Sequence, residues 1–168
     1  GAGGVGTAAV QLASAAGARV TATVRSAALR EDVAALGAEA IAPEEFPARG
    51  PFDVILELVG APNLAANIDA LAVGGRLVVI GIAAGAKAEL NLAKLMARRG
   101  TLRASTLRAR PLEEKAATMR ALERHVLPLV ARGAVRVPIT ATYPLQDAAA
   151  AYERFAAGGK LGKIVLLP

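Results

Sequence analysis

The chain has 168 residues, 54% hydrophobic and 20% charged, so it is long and apolar enough for a domain with a sizeable core and is not a disordered polypeptide. Its formal net charge of +6 suits an anionic partner such as a phosphate-bearing molecule, but with only 3% aromatic residues we do not expect nucleic acid binding. Cysteine is absent, which excludes disulfides and cysteine-ligated metals in these residues and is compatible with a cytoplasmic location, and the longest apolar run, residues 77–86, is too short to cross a membrane.

A glycine-rich loop opens the chain. Gly1, Gly3 and Gly6 fit the pattern G-x-G-x-x-G, and the residues after them predict a helix that ends before Gly17. Such a loop normally follows a buried strand, and no strand precedes it here. We therefore expect the chain to be a fragment that begins at a phosphate-binding loop. Val5, Ala9 and Leu12 fall on one face of that helix, at three- and four-residue steps.

Strands and helices then alternate up to about residue 108. The alternation, at spacings of 20 to 30 residues, predicts βαβ units and a doubly wound parallel sheet of the Rossmann type that lacks its first strand. The predicted strands are residues 19–24, 39–42, 52–59, 76–81 and 101–107, and the predicted helices are residues 27–36, 62–71 and 90–98.

The tail of the chain does not continue this alternation. It predicts a long helix over residues 111–131, a short strand over 135–137, a helix over 146–157 and a closing strand over 163–167. We expect this segment to return to another domain. The predicted division is a nucleotide-binding domain over residues 1–108 and a C-terminal segment over residues 109–168.

The glycine loop has two interpretations. Its glycines would allow a tight turn and let a pyrophosphate approach the N–H groups at a helix N-terminus. Alternatively, the loop is a glycine-rich turn that only packs the helix against a strand. The βαβ context favours the phosphate-binding interpretation.

Arg25 and Ser26 follow the strand predicted for residues 19–24. An NAD site usually carries an acidic residue there, bonded to the ribose 2′-hydroxyl, whereas Glu31 and Asp32 fall later, within the next helix. A guanidinium and a hydroxyl suit the 2′-phosphate of NADP instead, so we expect NADP rather than NAD. The alternative is a solvated arginine and a serine that caps the helix.

Other polar residues give weaker signals. Glu57 lies in an apolar strand and is either a functional acid or a carboxylate that is hydrogen-bonded near the end of that strand. His125 is the single histidine, for which we expect a structural role, and it cannot form a zinc site alone. A group of basic residues is either a solvated surface or a source of charge attraction for phosphates: Arg98, Arg99, Arg103, Arg108 and Arg110. No residue is an evident acid–base catalyst.

The whole chain resembles the C-terminal half of the zinc-free medium-chain dehydrogenase/reductases, in the quinone oxidoreductase group and closest to its p53-inducible type. The motifs that carry the resemblance are residues 3–13, 36–38, 67–71, 75–76, 81–85, 94–102, 105–110, 125–128 and 162–166. The family's Tyr or His after the third strand is replaced here by Pro43, and the Lys of some members by Ala28 and Leu29.

The resemblance implies a fold, a cofactor and a set of site residues. It implies NADPH as the hydride donor to a quinone or an α,β-unsaturated carbonyl, no metal, a GroES-like catalytic domain before this chain to which the tail returns, and a homodimer. The isolated fragment would be inactive. The phosphate loop corresponds to Gly3, Gly4 and Val5, and the adenosine end to Arg25 and Ser26. The nicotinamide side corresponds to Val59, Gly60, Gly81, Ile82 and Ala83, together with Ser105, Thr106 and Leu107.

Two other functions stay open. The chain could be an enoyl reductase domain of a larger synthase. It could also be a non-catalytic nucleotide-binding module, or a remnant, that needs a partner chain.

Overall fold

All paired strands of the chain run parallel, so the predicted α/β class with parallel strands is confirmed. A computed structural model describes residues 1–168, and packing divides them into two units. The first unit consists of Gly1–Pro43 and Ala116–Pro168, and the second of Glu44–Lys115. None of the helices has both the length and the apolar composition needed to cross a membrane.

The elements are short and follow one another closely. The helices are α1 (Gly4–Ala15), α2 (Arg30–Ala34), α3 (Phe46–Arg49), α4 (Leu64–Asp69), α5 (Leu92–Ala97), α6 (Leu112–His125), α7 (Leu127–Ala131) and α8 (Ala148–Ala156). The strands are β1 (Thr21–Thr23), β2 (Glu39–Ile41), β3 (Phe52–Glu57), β4 (Leu71–Val79), β5 (Thr101–Ala104), β6 (Ile139–Pro144) and β7 (Lys163–Leu167). Single 3₁₀ turns lie at Ala27–Leu29, Pro43–Glu45, Ala61–Asn63 and Leu145–Asp147.

The first unit contains the glycine loop, the β1–β2 pair and the β6–β7 pair. Its buried cluster is built from Val10, Ala22, Val24, Val33 and Leu36. Backbone and side-chain hydrogen bonds fasten the tail to the start of the chain in this unit. The Gly162 N–H donates to the Ala2 carbonyl at 2.7 Å. The buried Gln11 amide both donates to the Arg136 carbonyl and accepts from the Arg136 N–H, at 2.9 Å each.

The second unit is a three-stranded parallel sheet in the order β3-β4-β5. Its buried cluster is built from Ile55, Ile68, Ala70, Leu71 and Leu77. Because parallel strands end at the same edge of a sheet, the loops that follow β3, β4 and β5 come out side by side at its carboxyl edge. Ligands of open α/β sheets bind at that edge.

The apolar face formed by Val5, Ala9 and Leu12 is not the buried face of α1, since Val5 is exposed. The buried face instead carries Gly6, Thr7, Val10 and Gln11, at the same three- and four-residue steps. Two polar side chains are buried on it because both are satisfied. Thr7 donates to the Gly4 carbonyl, and Gln11 is paired with Arg136. Hydrophobicity alone therefore selected the wrong residues.

Several predicted boundaries also differ. The strand predicted for residues 76–81 begins earlier, at Leu71, and includes a register shift opposite residues 52–54. The strand predicted for residues 101–107 ends at Ala104. Residues 135–137 are not a strand, and the pairing with β7 is made by β6 instead. The helix predicted for residues 111–131 is divided at Val126 into α6 and α7, and Pro128 lies in the first turn of α7, where its missing N–H costs nothing. The predicted domain boundary at residue 108 stays a prediction.

Candidate cofactor site

The N-terminus of α1 carries backbone donors that have no partner within the helix. Gly3 is the N-cap, it offers no side chain, and the first turn contains no acidic residue. The first hydrogen bond of the helix runs from the Thr7 N–H to the Gly3 carbonyl at 2.8 Å. The preceding N–H groups of the first turn, those of Gly4, Val5 and Gly6, therefore have no partner within the helix. Together with the helix dipole they favour an anion at this point.

The three glycines of the loop serve different purposes. A Cβ on Gly6 would overlap the carbonyl group of Gly1, with 2.7 Å to its carbon atom, and a Cβ on Gly1 would lie 2.9 Å from that of Ala22. Packing requires glycine at these two positions. Gly3 is different, because its backbone (φ −73°, ψ 169°) suits any residue and a Cβ there would meet nothing within 4 Å. The fold itself does not require glycine at residue 3, whereas close approach of a ligand would.

Lys163, at the start of β7, lies directly over the same helix end. A Cβ on Gly4 would be 2.8 Å from the Lys163 ammonium and would overlap its side-chain stem. The ammonium pairs with no carboxylate, although a cation at the positive end of a helix is unfavourable. An anion between the two would remove that conflict. Lys163 was not predicted as a site residue because the sequence pattern assigned the tail to another domain; the motif at residues 162–166 was the available signal.

Arg25 and Ser26 follow β1, as predicted, but Ser26 does not cap a helix through its side chain. It occupies the N-cap position of the 3₁₀ turn Ala27–Leu29, and its hydroxyl makes no capping hydrogen bond. Arg25 is exposed. The Arg30 Nε donates to the Val24 carbonyl at 3.3 Å. Arg25 thus remains the more available guanidinium at this end of β1.

Glu57, the last residue of β3, is buried and accepts hydrogen bonds from four groups. The N–H groups of Val59 and Gly60 donate to Oε1 at 2.5 and 2.9 Å, and the amides of Asn63 and Asn67 donate to Oε2 at 3.2 and 2.5 Å. All four partners are donors, so the site requires an acceptor with two oxygen atoms. The carboxylate ends the strand and turns the chain at residues 59 and 60.

Burial and hydrogen bonding act in opposite directions on the pKa of Glu57. Burial raises it, while the hydrogen bonds from Asn67, Gly60, Val59 and Asn63 lower it, and the sum places the pKa below the ordinary 4.5. Glu57 is therefore an ionised acceptor and not a proton donor near neutral pH. Of the two roles considered from the sequence, the hydrogen-bonded carboxylate is the one observed.

The loops after β3 and β4 are hydrogen-bonded to each other. The Ala84 N–H donates to the Val59 carbonyl and the Ala61 N–H donates to the Gly85 carbonyl, both at 2.9 Å. Gly60 has a φ of +105°, which favours glycine. A Cβ on Gly81 would overlap the backbone of Leu58. These contacts bring together Val59, Gly60, Gly81, Ile82 and Ala83.

A mostly apolar cavity of about 160 Å³ lies beside this loop pair. Its lining includes Glu57, Gly60, Leu64, Val79, Ile82 and Leu102. The loop after β5 follows the neighbouring strand, and the Ser105 N–H continues the pairing by donating to the Val79 carbonyl at 3.1 Å. Ser105, Thr106 and Leu107 thus leave the same edge of the sheet as the loop pair.

The predicted site residues fall into two groups. Those expected at the phosphate and adenosine end lie in the first unit: Gly3, Gly4, Val5, Arg25 and Ser26. Those expected at the nicotinamide end lie in the second: Val59, Gly60, Gly81, Ile82, Ala83, Ser105, Thr106 and Leu107. Each group lies at helix or strand ends, and the assignment of these residues to a cofactor stays a prediction.

The weaker candidates are placed differently. His125 ends α6 and is exposed, and its structural role stays a prediction. Arg98 donates to the Asp69 carbonyl at 2.9 Å, and Arg110 is bound within the loop after β5. These two guanidinium groups hold the backbone in place. No group of three or more histidine, cysteine or acidic side chains is arranged to hold a metal ion.

Known proteins resemble this chain over most of its length. The family described as zinc-binding dehydrogenase matches residues 19–166. A phenolphthiocerol/phthiocerol polyketide synthase component from Mycobacterium tuberculosis is 35% identical over 176 residues, a match that covers 98% of this chain and 8% of that protein. A quinone oxidoreductase from Mus musculus is 33% identical over 116 residues, which covers 68% of this chain and 33% of that protein. The chain thus corresponds to only part of each relative.

The fold also recurs in solved structures. That of the Escherichia coli K-12 protein YhdH, determined with bound NADPH, superposes with a TM-score of 0.77 over 98% of this chain and 51% of the other. The two share 24% of their residues, so this likeness concerns the fold alone.

Proposed function

The chain belongs to the zinc-binding dehydrogenase family of medium-chain dehydrogenases/reductases, and from that premise we propose that it is the cofactor-binding part of an NADPH-dependent quinone reductase. Its class, an oxidoreductase of this family, follows from the match. The choice of NADPH and of a quinone or an α,β-unsaturated carbonyl is our proposal. The observation that carries it is the end of β1, where Arg25 stands in the place of the acidic residue typical of NAD sites.

The first unit would bind the phosphates and the adenosine. The N–H groups of the first turn of α1, which have no partner within the helix, would donate to the diphosphate, with the Lys163 ammonium as a nearby cation. Arg25 would pair with the 2′-phosphate through two donors. The hydroxyl of Ser26, which makes no capping hydrogen bond, would add a third donor. The open space at Gly3 allows the phosphate to approach the backbone.

The second unit would hold the nicotinamide end. NADPH, when bound, supplies the hydride. The part played by the chain is to fix the position of the ring: Glu57 holds the turn at Val59 and Gly60, and the loop after β4 is hydrogen-bonded to that turn.

The residues of this chain fit NADPH but do not fit zinc. The glycine loop and the nearby Lys163 ammonium suit a dinucleotide phosphate, and the space beside Gly3 is open for its approach. The described residues contain no cysteine, one exposed histidine and no cluster of metal ligands. No step of the proposed reaction uses zinc bound by these residues.

Replacement of Arg25 tests the cofactor assignment. In the full-length protein, Arg25→Asp should lower the affinity for NADPH at least about tenfold and leave the affinity for NADH within about twofold. Only the 2′-phosphate of NADPH loses a partner and meets a new negative charge. Dissociation constants from NAD(P)H fluorescence measure this. Arg19→Asp is the matched control, since Arg19 precedes β1 at its opposite end. Equal losses for both cofactors would refute the role of Arg25.

Reduction of an enoyl thioester is a second candidate. The polyketide synthase relative, which matches 98% of this chain, favours it. Both candidates reduce a conjugated carbonyl compound and use the same cofactor residues. NADPH oxidation measured with a quinone and with a crotonyl thioester in parallel separates them. Faster turnover of the thioester would replace the quinone proposal with the second candidate.

A further inference from the structure

One guanidinium group holds the loop that follows β5. The Arg110 Nε donates to the Thr106 carbonyl at 2.9 Å, and its Nη2 donates to the Ser105 hydroxyl oxygen at 2.8 Å. The backbone closes the same turn, since the Arg110 N–H donates to the Leu107 carbonyl at 3.2 Å. Arg110 therefore contacts all three residues of this loop that the resemblance assigns to the nicotinamide side, Ser105, Thr106 and Leu107.

The contact also determines whether the Ser105 hydroxyl acts towards a ligand as a hydrogen-bond donor or as an acceptor. A hydroxyl has one proton to donate, and here its oxygen already accepts from a cation. Its proton is left for another acceptor. A neighbouring cation also makes the hydroxyl a stronger donor, because the O–H bond is further polarised.

The geometry is specific to arginine. Nε and Nη2 lie on one edge of the planar guanidinium, so a single group reaches a carbonyl and a hydroxyl together, which a lysine ammonium does not do with the same fixed geometry. Arg108 lies in the same loop, is exposed and makes none of these contacts. The Glu114 carboxylate, 3.7 Å from Nη1 and more than half exposed, adds little to the arrangement.

We propose that Arg110 is a positioning residue for the nicotinamide end of the cofactor. It holds the loop at Ser105–Leu107 in one conformation and commits the Ser105 hydroxyl to donating to a carbonyl-type acceptor, here the carboxamide oxygen of the nicotinamide. This inference rests on the proposed function, because it takes the dinucleotide as the ligand. It replaces the phosphate-attracting role that the sequence suggested for Arg110.

Two ligands that differ only at the nicotinamide end test the proposal. Arg110→Ala in the full-length protein should lower the affinity for NADPH about tenfold. It should leave the affinity for 2′-phospho-ADP-ribose, which lacks the nicotinamide and its carboxamide acceptor, within about twofold of wild type. Arg110→Lys should recover little of the loss. Arg108→Ala removes the same charge from the same loop and should leave the NADPH affinity within about twofold.

Ser105→Ala provides a second line of evidence that does not depend on the folding of the Arg110 variant. It should also weaken NADPH selectively, and the double variant should lose much less than the product of the two single effects, because both residues act through one contact. Thermal unfolding of each variant is measured beside the titrations.

The outcomes are distinct. Equal losses of both ligands in Arg110→Ala would identify a general charge or folding effect and overturn the proposal, as would unchanged binding of both. Wild-type protein that binds neither ligand would overturn the proposed function and this inference with it. Wild-type protein that binds both, with Arg110→Ala behaving like wild type, would overturn this inference alone.

Discussion

The two regions assigned to the cofactor are built in opposite ways. At the start of α1, the backbone itself forms the surface: Gly3 has no side chain, and the N–H groups of the first turn have no partner within the helix. At the end of β3, the backbone is fixed by a buried side chain, the Glu57 carboxylate, which accepts from four donors. In one region the helix leaves its first N–H groups without partners of its own, and in the other a buried carboxylate satisfies the donors.

This difference predicts that mutations in the two regions will separate binding from stability. Damage to a satisfied internal network destabilises the fold, because buried donors lose their acceptor. Damage to an open backbone surface affects the ligand and leaves the fold intact. The following variants test that separation, from the largest expected effect to the smallest.

Glu57→Gln should have the largest effect. It keeps the shape but replaces one acceptor oxygen with a donor that faces other donors, so we expect a loss of about 2–4 kcal/mol in the free energy of unfolding, measured by denaturant titration. The control is Asp69→Asn, which breaks the 2.7 Å pair with Lys94 but involves side chains about half exposed. That control should cost below about 1 kcal/mol. Similar losses for the two variants would refute the importance assigned to the buried network.

The same carboxylate makes stability depend on acidity. The pKa of Glu57 is lower in the folded chain than in the unfolded one, so the unfolded state binds more protons. Its contribution is fully present above the ordinary pKa of 4.5 and is lost as the pH falls through the lower, folded value. Unfolding measured between about pH 6 and pH 3 should show this loss in wild type and not in Glu57→Gln.

Gly3→Ala and Gly6→Ala should separate the two requirements within the glycine loop. Gly6→Ala should destabilise the fold by about 1–3 kcal/mol, because its Cβ overlaps the Gly1 carbonyl. Gly3→Ala should cost less than about 1 kcal/mol in stability yet weaken NADPH about tenfold, since only the ligand meets its Cβ. Calorimetric unfolding and NADPH titration measure the two effects. Normal NADPH affinity in Gly3→Ala would support the alternative in which the loop only packs the helix.

Lys163→Gln should give the smallest effect, a loss of about fivefold that is the same for NADPH and NADH, because both carry the diphosphate. Arg19→Gln removes the same charge near the opposite end of α1, about 18 Å away by helix length, and should change neither affinity. A loss confined to NADPH would place Lys163 at the 2′-phosphate instead. High salt should reduce the difference between Lys163→Gln and wild type.

The sequence predicted the helix after the glycine loop correctly, because local signals define it: the glycines precede it and Gly17, with a φ of +82°, follows its end. It also predicted Arg25 and Ser26 at the end of β1, since strand ends follow from β-branched runs. It predicted that Glu57 could be a hydrogen-bonded carboxylate near the end of its strand, but not the partners, because the donors at residues 59, 60, 63 and 67 come together only after the turn forms. It missed Lys163 because the pairing of Gly162 with the loop joins opposite ends of the chain.

The sequence also misplaced the ends of several strands, and the causes are local side-chain contacts. The end of β3 depends on a side-chain carboxylate, and the end of β5 on the guanidinium of Arg110, neither of which hydrophobic periodicity detects. The inward face of α1 includes Thr7 and Gln11, which are buried because they are hydrogen-bonded. In each case, a satisfied polar contact overrides the hydrophobic pattern.

The most direct test of the cofactor assignment is a side-by-side titration of the wild-type full-length protein with NADPH and NADH, followed by cofactor fluorescence. We expect that both saturate and that NADPH binds at least about tenfold more tightly, because Arg25 and Ser26 meet a phosphate that NADH lacks. Tighter binding of NADH, equal affinities or no saturation by either would contradict the assignment.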